Sequence, residues 1–510
     1  ADLAGDIRPW LPQIPEKKNG KRIACIGAGC SSLTVANDLL PLGYDVVIFE
    51  QFNTAGGLMR TNIPSFRLPA SVLDDEIDMI LEMGVDLRLG HRVDSMQAVL
   101  DEEFDAVFVG TGAPRGKDLD LPGRHDSDRI HIGIDWLESV AFAHTQNIGE
   151  KVLIIGIGNT AMDCCRTSLR LGGQDVKVMA RKPRGYFKTS DWELEDAEEE
   201  QVEIVVNHSP REFVIEDGKL VGMRFDHLEY SKDSAGNLVS KVVGEEFLPC
   251  DDVILAIGQE NAFTWIERDI GITFDEWNVP VVDRATYQST REGVYFGGDA
   301  AVGPENIIWA VEHGHQAAIS IHRYCANQSV NDRLPVGMNL ASTKMSIHEW
   351  SFSNDFDSSQ RRQMRHVDLK KRFDELNIEV ELGFSSEQAA VEIQRCLNCD
   401  VQTVFNEKLC IECDACIDVC PVRCLTITEN GEEEELRQRL TVPAENKDQA
   451  IFVSRVLPQT GRVMIKDEDL CVHCSLCAER CPTGAWDMRK STLLIPYAID
   501  EEAACVRKAG

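Results

Sequence analysis

Two cysteine runs near the end of the chain constrain its fold more than any other feature. Cys410, Cys413, Cys416 and Cys420 follow a C-x-x-C-x-x-C-x-x-x-C pattern closed by Pro421. Cys471, Cys474, Cys477 and Cys481 repeat it, closed by Pro482. Of 18 cysteines, six lie between Cys25 and Cys325 and twelve follow residue 395. A disulfide framework suits a short secreted chain. This chain has 510 residues, and its first ten, ADLAGDIRPW, lack the charged-then-apolar order of a signal peptide. Cluster ligation fits better. Three closely spaced thiolates hold one [4Fe–4S] cluster, and the fourth, before Pro, crosses to the other. Cys410, Cys413, Cys416 and Cys481 are therefore the expected ligands of cluster one. Cys471, Cys474, Cys477 and Cys420 are those of cluster two. Two zinc sites are the alternative, but zinc patterns usually lack this triple spacing.

The first half carries a different signal twice. KRIACIGAGCSSLTVANDLLPLGYDVVIFE opens at residue 21 and reads as strand 22–26, helix 30–40 and strand 45–49. Gly27, Gly29 and Ser32 occupy the three fingerprint positions: a tight turn, close approach of a pyrophosphate, and helix–strand packing. The helix start offers free N–H groups to the phosphates. Glu50 ends the second strand, placed to accept from a ribose, with Gln51 beside it. A second unit begins at residue 151, with Gly156, Gly158 and Ala161 at the same spacing. Asn159 and Thr160 open its helix. Its second strand, near 176–180, ends in Arg181 and Lys182 rather than an acid, which suits a 2′-phosphate and hence NADP; NAD with solvated surface bases is the alternative. Two further segments frame it. One is strand 105–113 with Thr111 and Gly112; the other is strand 293–301 with Gly297, Gly298 and Asp299, followed by a helix start at Asn306 and Ile307. Two dinucleotide units in one chain suggest a flavin enzyme fed by a nicotinamide; on that expectation Asp299 would hold ribityl hydroxyls and the helix start would face the flavin O2.

Residues 21–325 resemble the NAD(P)H-oxidising flavoproteins of the glutamate synthase small subunit and the flavin half of dihydropyrimidine dehydrogenase. The resemblance rests on GAGCSSL from Gly27, FEQFNTAGGLMRTNIPSFRLP from Phe49, GIGNTAMD from Gly156, AIGQ from Ala256 and GGDAAVGPENIIWAVEHGHQAA from Gly297. It implies that Gly57, Leu58 and Arg67 lie along the flavin and that Val93 meets the adenine through its backbone. Gly258, in AIGQ, belongs with the NAD(P) set. Cys30, Ser31 and Ser32 replace the family's usual Pro, Ala and Gly. Ala180, Arg181 and Lys182 replace its Tyr-Arg-Arg, which weakens the case for NADP.

The expected fold class is α/β: two nested Rossmann-like domains, for FAD and NAD(P), plus a small α+β bacterial-type two-cluster ferredoxin domain. The expected divisions are an arm at 1–20, an FAD-binding part at 21–145, an inserted NAD(P)-binding domain at 146–265, and a second FAD-binding part at 266–330. A linker with a helical-looking stretch at 359–376 follows at 331–395. The ferredoxin-like domain is expected at 396–510, with an insertion near 427–466. The polar 427–447 stretch reads as a solvated loop or a partner contact. Cys396, Cys399 and Cys424 leave three readings open: ligands of a third cluster, a small zinc site, or buried free thiols. Cys164 and Cys165 are neighbours on a helix, so they point about 100° apart and read as core rather than a dithiol. His313 and His315 read as helix residues lining the flavin site, with proton transfer the less favoured role.

The cofactors implied are FAD, NAD(P)H and two [4Fe–4S] clusters. The expected function is electron transfer between NAD(P)H and a protein partner. The partner is either the other subunits of an oxidoreductase complex of 2-oxoacid, aldehyde or formate type, or a soluble ferredoxin. A stand-alone NAD(P)H:ferredoxin oxidoreductase and a glutamate synthase small subunit are the alternatives. With 52 Lys and Arg against 85 Asp and Glu, the net charge is −33, which argues against nucleic acid as partner. No apolar run approaches the roughly 18 residues of a membrane span, so the expected location is cytoplasmic.

Overall fold

The computed structural model describes residues 12–233, 236–333, 337–342, 360–395, 401–444, 446, 449–494 and 498. They fall into two units, one within 1–333, 366–382 and 497–510, the other within 334–365 and 383–496.

The first unit is built on two parallel sheets. The first runs in the order Val294–Phe296, Ala106–Val109, Arg22–Ile26, Asp45–Phe49, Asp86–Arg88. All its pairs are parallel, with Ala24 opposite Val47 and Val107. Such strands are covered on both faces, which is why IACI and VVIF are continuous apolar runs; Ile23, Ala24, Cys25 and Ile48 are fully buried. The second sheet runs Ile130–Ile132, Asp252–Leu255, Lys151–Ile155, Asp175–Ala180, Glu203–Val206, again parallel throughout. In chain order its strands all lie between Ala106–Val109 and Val294–Phe296 of the first sheet, so one sheet is nested in the sequence of the other. The second sheet starts at Ile130, ahead of the expected boundary at 146, because Ile130–Ile132 pairs with Asp252–Leu255. A three-stranded antiparallel sheet, His208–Glu216, Lys219–Lys232 and Leu238–Pro249, rises from it.

The expected helix at 359–376 does not form over its described residues. Only the short 3-10 turn Leu369–Lys371 appears. Arg372 explains the apparent polarity of this stretch: its guanidinium is buried in the first unit, 3.0 Å from Glu199 and 3.5 Å from Glu200.

In the second unit, Gly337–Ser342, Trp486–Leu494 and Val401–Phe405 form one antiparallel sheet. Leu425–Thr428, Val463–Lys466 and Phe452–Val453 form another. Short helices Ala415–Val419 and Leu476–Arg480 follow the first two cysteines of each run. The 427–447 stretch, read from sequence as a solvated loop or a partner contact, carries structure of its own. Helix Glu433–Gln438 has three Glu in its first turn, where they complement the helix dipole. Leu436 and Leu440, four residues apart, pack with Ile451, Val463 and Ile465 in a small core. The acids mask that apolar pair in the sequence.

Candidate nucleotide and cluster sites

The Gly-rich turn of the first sheet is fixed from both sides. Gly27 has φ +90°, and a Cβ there would lie 2.9 Å from the Gly110 carbonyl oxygen. Glu50 is buried, and its carboxylate accepts from Ala28 N at 2.8 Å and Phe52 N at 2.9 Å. Burial raises its pKa, partly offset by these backbone donors. Glu50 thus holds the turn itself, a role that the ribose reading missed. Gly29 caps helix Cys30–Leu39 with no side-chain bond, leaving first-turn N–H groups for an anion. Gly57 comes so close that a Cβ on it would meet Gly29 Cα at 3.0 Å. Ser32 is fully buried, its hydroxyl without a hydrogen-bond partner. These features fit a pyrophosphate: an uncapped helix start, and a glycine cradle with no side chains to obstruct it.

The second sheet repeats the arrangement. Gly156 has φ +128°, and a Cβ would fall 2.2 Å from the Ala256 carbonyl oxygen. Gly158 caps helix Asn159–Arg170 without a side-chain bond, and a Cβ there would meet nothing within 4 Å. Asn159 Oδ1 accepts from Ser190 N at 3.2 Å, steadying the facing loop. Arg181 and Lys182 are exposed and pair with no acid among the described residues, whereas Arg184 is taken by Glu198. Cys164 and Cys165 are fully buried, and burial pushes both thiols up, as core residues would be.

The other flavin-side residues converge from separate strands. Asn261 donates its amide to Gly112 O at 3.0 Å and Asp299 O at 3.1 Å in the orientation that satisfies both. Burial lifts the Asp299 carboxyl to about 6, against a bond from Glu305 N. Asn306 caps helix Ile307–Cys325, accepting from Trp309 N at 3.0 Å. Ile307, Ile308 and Trp309 stand exposed on its first turn. Val93 and Thr111 are half-buried and Gln51 is exposed. Gly258 O accepts from Lys117 N at 2.9 Å. His315 pairs with Asp38 at 2.6 Å, so its role is to join two helices. His313 is buried with its Nδ1 unpartnered, its ring 4.4 Å from that of Tyr287.

Arg67 reveals a network that the sequence did not. Its guanidinium donates to Asp163 Oδ1 at 2.6 Å and to Glu193. Arg166 binds Asp196 at 2.8 Å and Glu200 at 3.0 Å, and Arg170 binds Glu200 at 2.7 Å. The loop after Gly57 is thereby tied to the helices of the second sheet. Burial raises Asp163 to about 7, against the pull of Arg67.

In the second unit the two runs cross. One cavity is lined by Cys471, Cys474 and Cys477 of the second run and Cys420 of the first. Around Cys416 the charges felt are those of Cys410 and Cys481, although burial is what lifts its thiol to about 11. Burial also raises Cys410, with Glu412, Cys481 and Cys413 adding. Cys424 is buried in the same cavity, its sulfur 3.6 Å from that of Cys420. That puts it beside the expected ligands of cluster two. Cys396, Cys399 and Cys505 lie outside the described residues. Sulfur donors from both runs around one enclosed space fit an iron–sulfur cluster.

Comparison with known proteins agrees with this geometry. Residues 21–314 match the family described as pyridine nucleotide-disulphide oxidoreductase, and residues 409–485 match the 4Fe-4S dicluster domain. The NADPH-Fe(3+) oxidoreductase subunit beta of Geobacter sulfurreducens is 31% identical over 420 residues, 76% of this chain and 62% of that protein. The NADP(+)-dependent formate dehydrogenase subunit beta of Moorella thermoacetica is 31% identical over 406 residues, 77% of this chain and 57% of that protein. The glutamate synthase [NADPH] small chain of Azospirillum brasilense is 31% identical over 346 residues, 63% of this chain and 70% of that one. The chain thus spans less than two thirds of the length of the first two. Among solved structures, Mycobacterium tuberculosis FprA in complex with NADPH has a TM-score of 0.52 at 17% identity, over 60% of this chain and 85% of that one, and so shares its fold. No helix among the described residues is long and apolar enough to cross a membrane. FAD, NAD(P)H and two [4Fe–4S] clusters are the cofactors that these two matched domains take. The chain belongs to the pyridine nucleotide-disulphide oxidoreductase family and carries a 4Fe-4S dicluster domain after it in sequence.

Proposed function

We propose that this chain moves electrons between NAD(P)H and a protein partner, as the nucleotide-linked subunit of a multi-subunit oxidoreductase. The observation that carries the reading is the crossed cysteine cavity, with Cys420 beside Cys471, Cys474 and Cys477, in a chain that also holds two uncapped Gly-rich turns. Bound FAD supplies the conversion of a two-electron hydride into single electrons, which clusters require. The residues around it have simpler tasks. Gly27, Gly29 and Ser32, with Glu50 behind them, seat one dinucleotide. Gly156, Gly158, Asn159 and Thr160 seat the other. Asn261 joins Gly112 to Asp299, so the two strand ends that border the flavin move together. Asn306 fixes where the first turn of its helix begins. Cys410, Cys413, Cys416 and Cys481 hold cluster one, and Cys471, Cys474, Cys477 and Cys420 hold cluster two.

NADPH is the favoured donor. Its support is the unpaired bases Arg181 and Lys182, and the NADPH or NADP(+) in the names of the relatives. A complex of formate, aldehyde or 2-oxoacid oxidoreductase type is the favoured setting, since two relatives are beta subunits. The test is to purify the chain from its native source under mild conditions and identify what co-purifies. Stoichiometric large subunits with oxidoreductase activity support the reading. A chain that purifies alone and reduces only soluble ferredoxin replaces it with a stand-alone enzyme.

A further inference from the structure

The two cysteine runs are internal repeats, and their alignment exposes an asymmetry. Five residues before Cys410 stands Phe405; five before Cys471 stands Lys466. Four residues after Cys481 stands Ala485; four after Cys420 stands Cys424. Phe405 and Trp486 pack ring to ring, centroids 4.8 Å apart, in the apolar core. Lys466 instead brings a cation to the equivalent place. It ends strand Val463–Lys466, its side chain is 2% exposed, and it lines the cavity that holds Cys420, Cys471 and Cys477. Its ammonium donates to Thr403 Oγ1 at 2.5 Å and Glu468 Oε2 at 2.8 Å.

A buried lysine is rare because desolvation of its charge costs several kcal/mol unless the charge is compensated. Glu468 compensates only in part. Its side chain is 27% exposed, so water screens the carboxylate while the ammonium sits in the protein interior. The pair therefore presents its positive end to the cavity. Adding an electron to a [4Fe–4S] centre adds negative charge, and a fixed cation nearby favours that state. Phe405 offers cluster one no such charge.

We propose that Lys466 is a positioning residue for electron flow: its buried charge sets the potential of cluster two above that of cluster one, so an electron entering the domain settles on cluster two. This rests on the cluster reading above. The experiment is an EPR-monitored redox titration of the full chain, with iron determined in parallel. In the unaltered chain two one-electron waves are expected. Lys466→Met should lower the higher wave so that its reduced-to-oxidised ratio at fixed potential falls at least tenfold, about 59 mV for one electron. The lower wave should stay in place. Glu468→Gln, at a partly exposed residue, should move the same wave the opposite way. Waves unmoved by both substitutions, or both waves moving together, overturn the proposal. If Lys466→Met loses its iron, Lys466→Gln, which removes the charge but keeps a polar group toward Thr403, takes its place, and an unmoved wave there also overturns it. Iron absent from the unaltered chain overturns the cluster reading itself.

Discussion

Gly156 shows what single residues decide here. Its φ of +128° and the Ala256 carbonyl 2.2 Å from a built Cβ leave room for no side chain. Gly156→Ala should cost on the order of 1–3 kcal/mol of local strain and abolish NADPH binding while leaving bound FAD in place, read by nucleotide titration and flavin absorbance. Asp163 decides something different. Its carboxyl, raised to about 7 by burial, sits above the unfolded value near 3.8. Its stability contribution is then fully present below pH 3.8 and is lost as pH rises through about 7. Asp163→Asn, which mimics the neutral carboxyl, should flatten the stability curve between those limits, so that its urea midpoint gains on the parent's as pH rises. Midpoints that keep a constant gap would show that the Arg67 pair holds Asp163 ionised throughout.

At the scale of elements, the parallel strands were the easiest to read. IACI and VVIF are apolar without interruption because both faces are covered, and strands Arg22–Ile26 and Asp45–Phe49 lie where that pattern put them. Short-range chemistry was legible too: the Gly-rich turns and the Asn306 cap follow from local rules. Contacts between distant elements were not. Arg166, Arg170 and Arg372 look like surface bases one at a time, and only folding brings them, with Arg67, to Asp163, Glu193 and Glu200. Leu436 and Leu440 were hidden among acids for the same reason, since their partners Ile451, Val463 and Ile465 come from elsewhere. Leu436→Ala should destabilise the second unit by about 2–4 kcal/mol, the usual cost of such a buried truncation. A solvated loop would lose under 0.5 kcal/mol. Chemical denaturation followed by cluster absorbance separates the two.

At the scale of the molecule, the fold assembles two kinds of electron site in one chain. In the ferredoxin-like domain Cys420 belongs to the first run in sequence and lines the cavity of Cys471, Cys474 and Cys477 in space. Cys420→Ala should therefore halve the iron content by emptying cluster two, with cluster one and FAD retained, as measured by iron assay and flavin release. Loss of cluster one with cluster two retained, told apart by their EPR signals, would mean that each run holds its own. The crossing was legible from the C-x-x-C-x-x-C-x-x-x-C-Pro spacing. The Lys466 asymmetry was not, because burial, rather than residue type, makes its charge count.

The most direct test is anaerobic titration of the purified chain with NADPH and separately NADH, followed by visible absorbance and low-temperature EPR. The account predicts that NADPH bleaches the flavin at lower concentration than NADH and that reduced-cluster signals follow. Flavin that stays oxidised with both nucleotides, in a chain shown to contain FAD and iron, would contradict it.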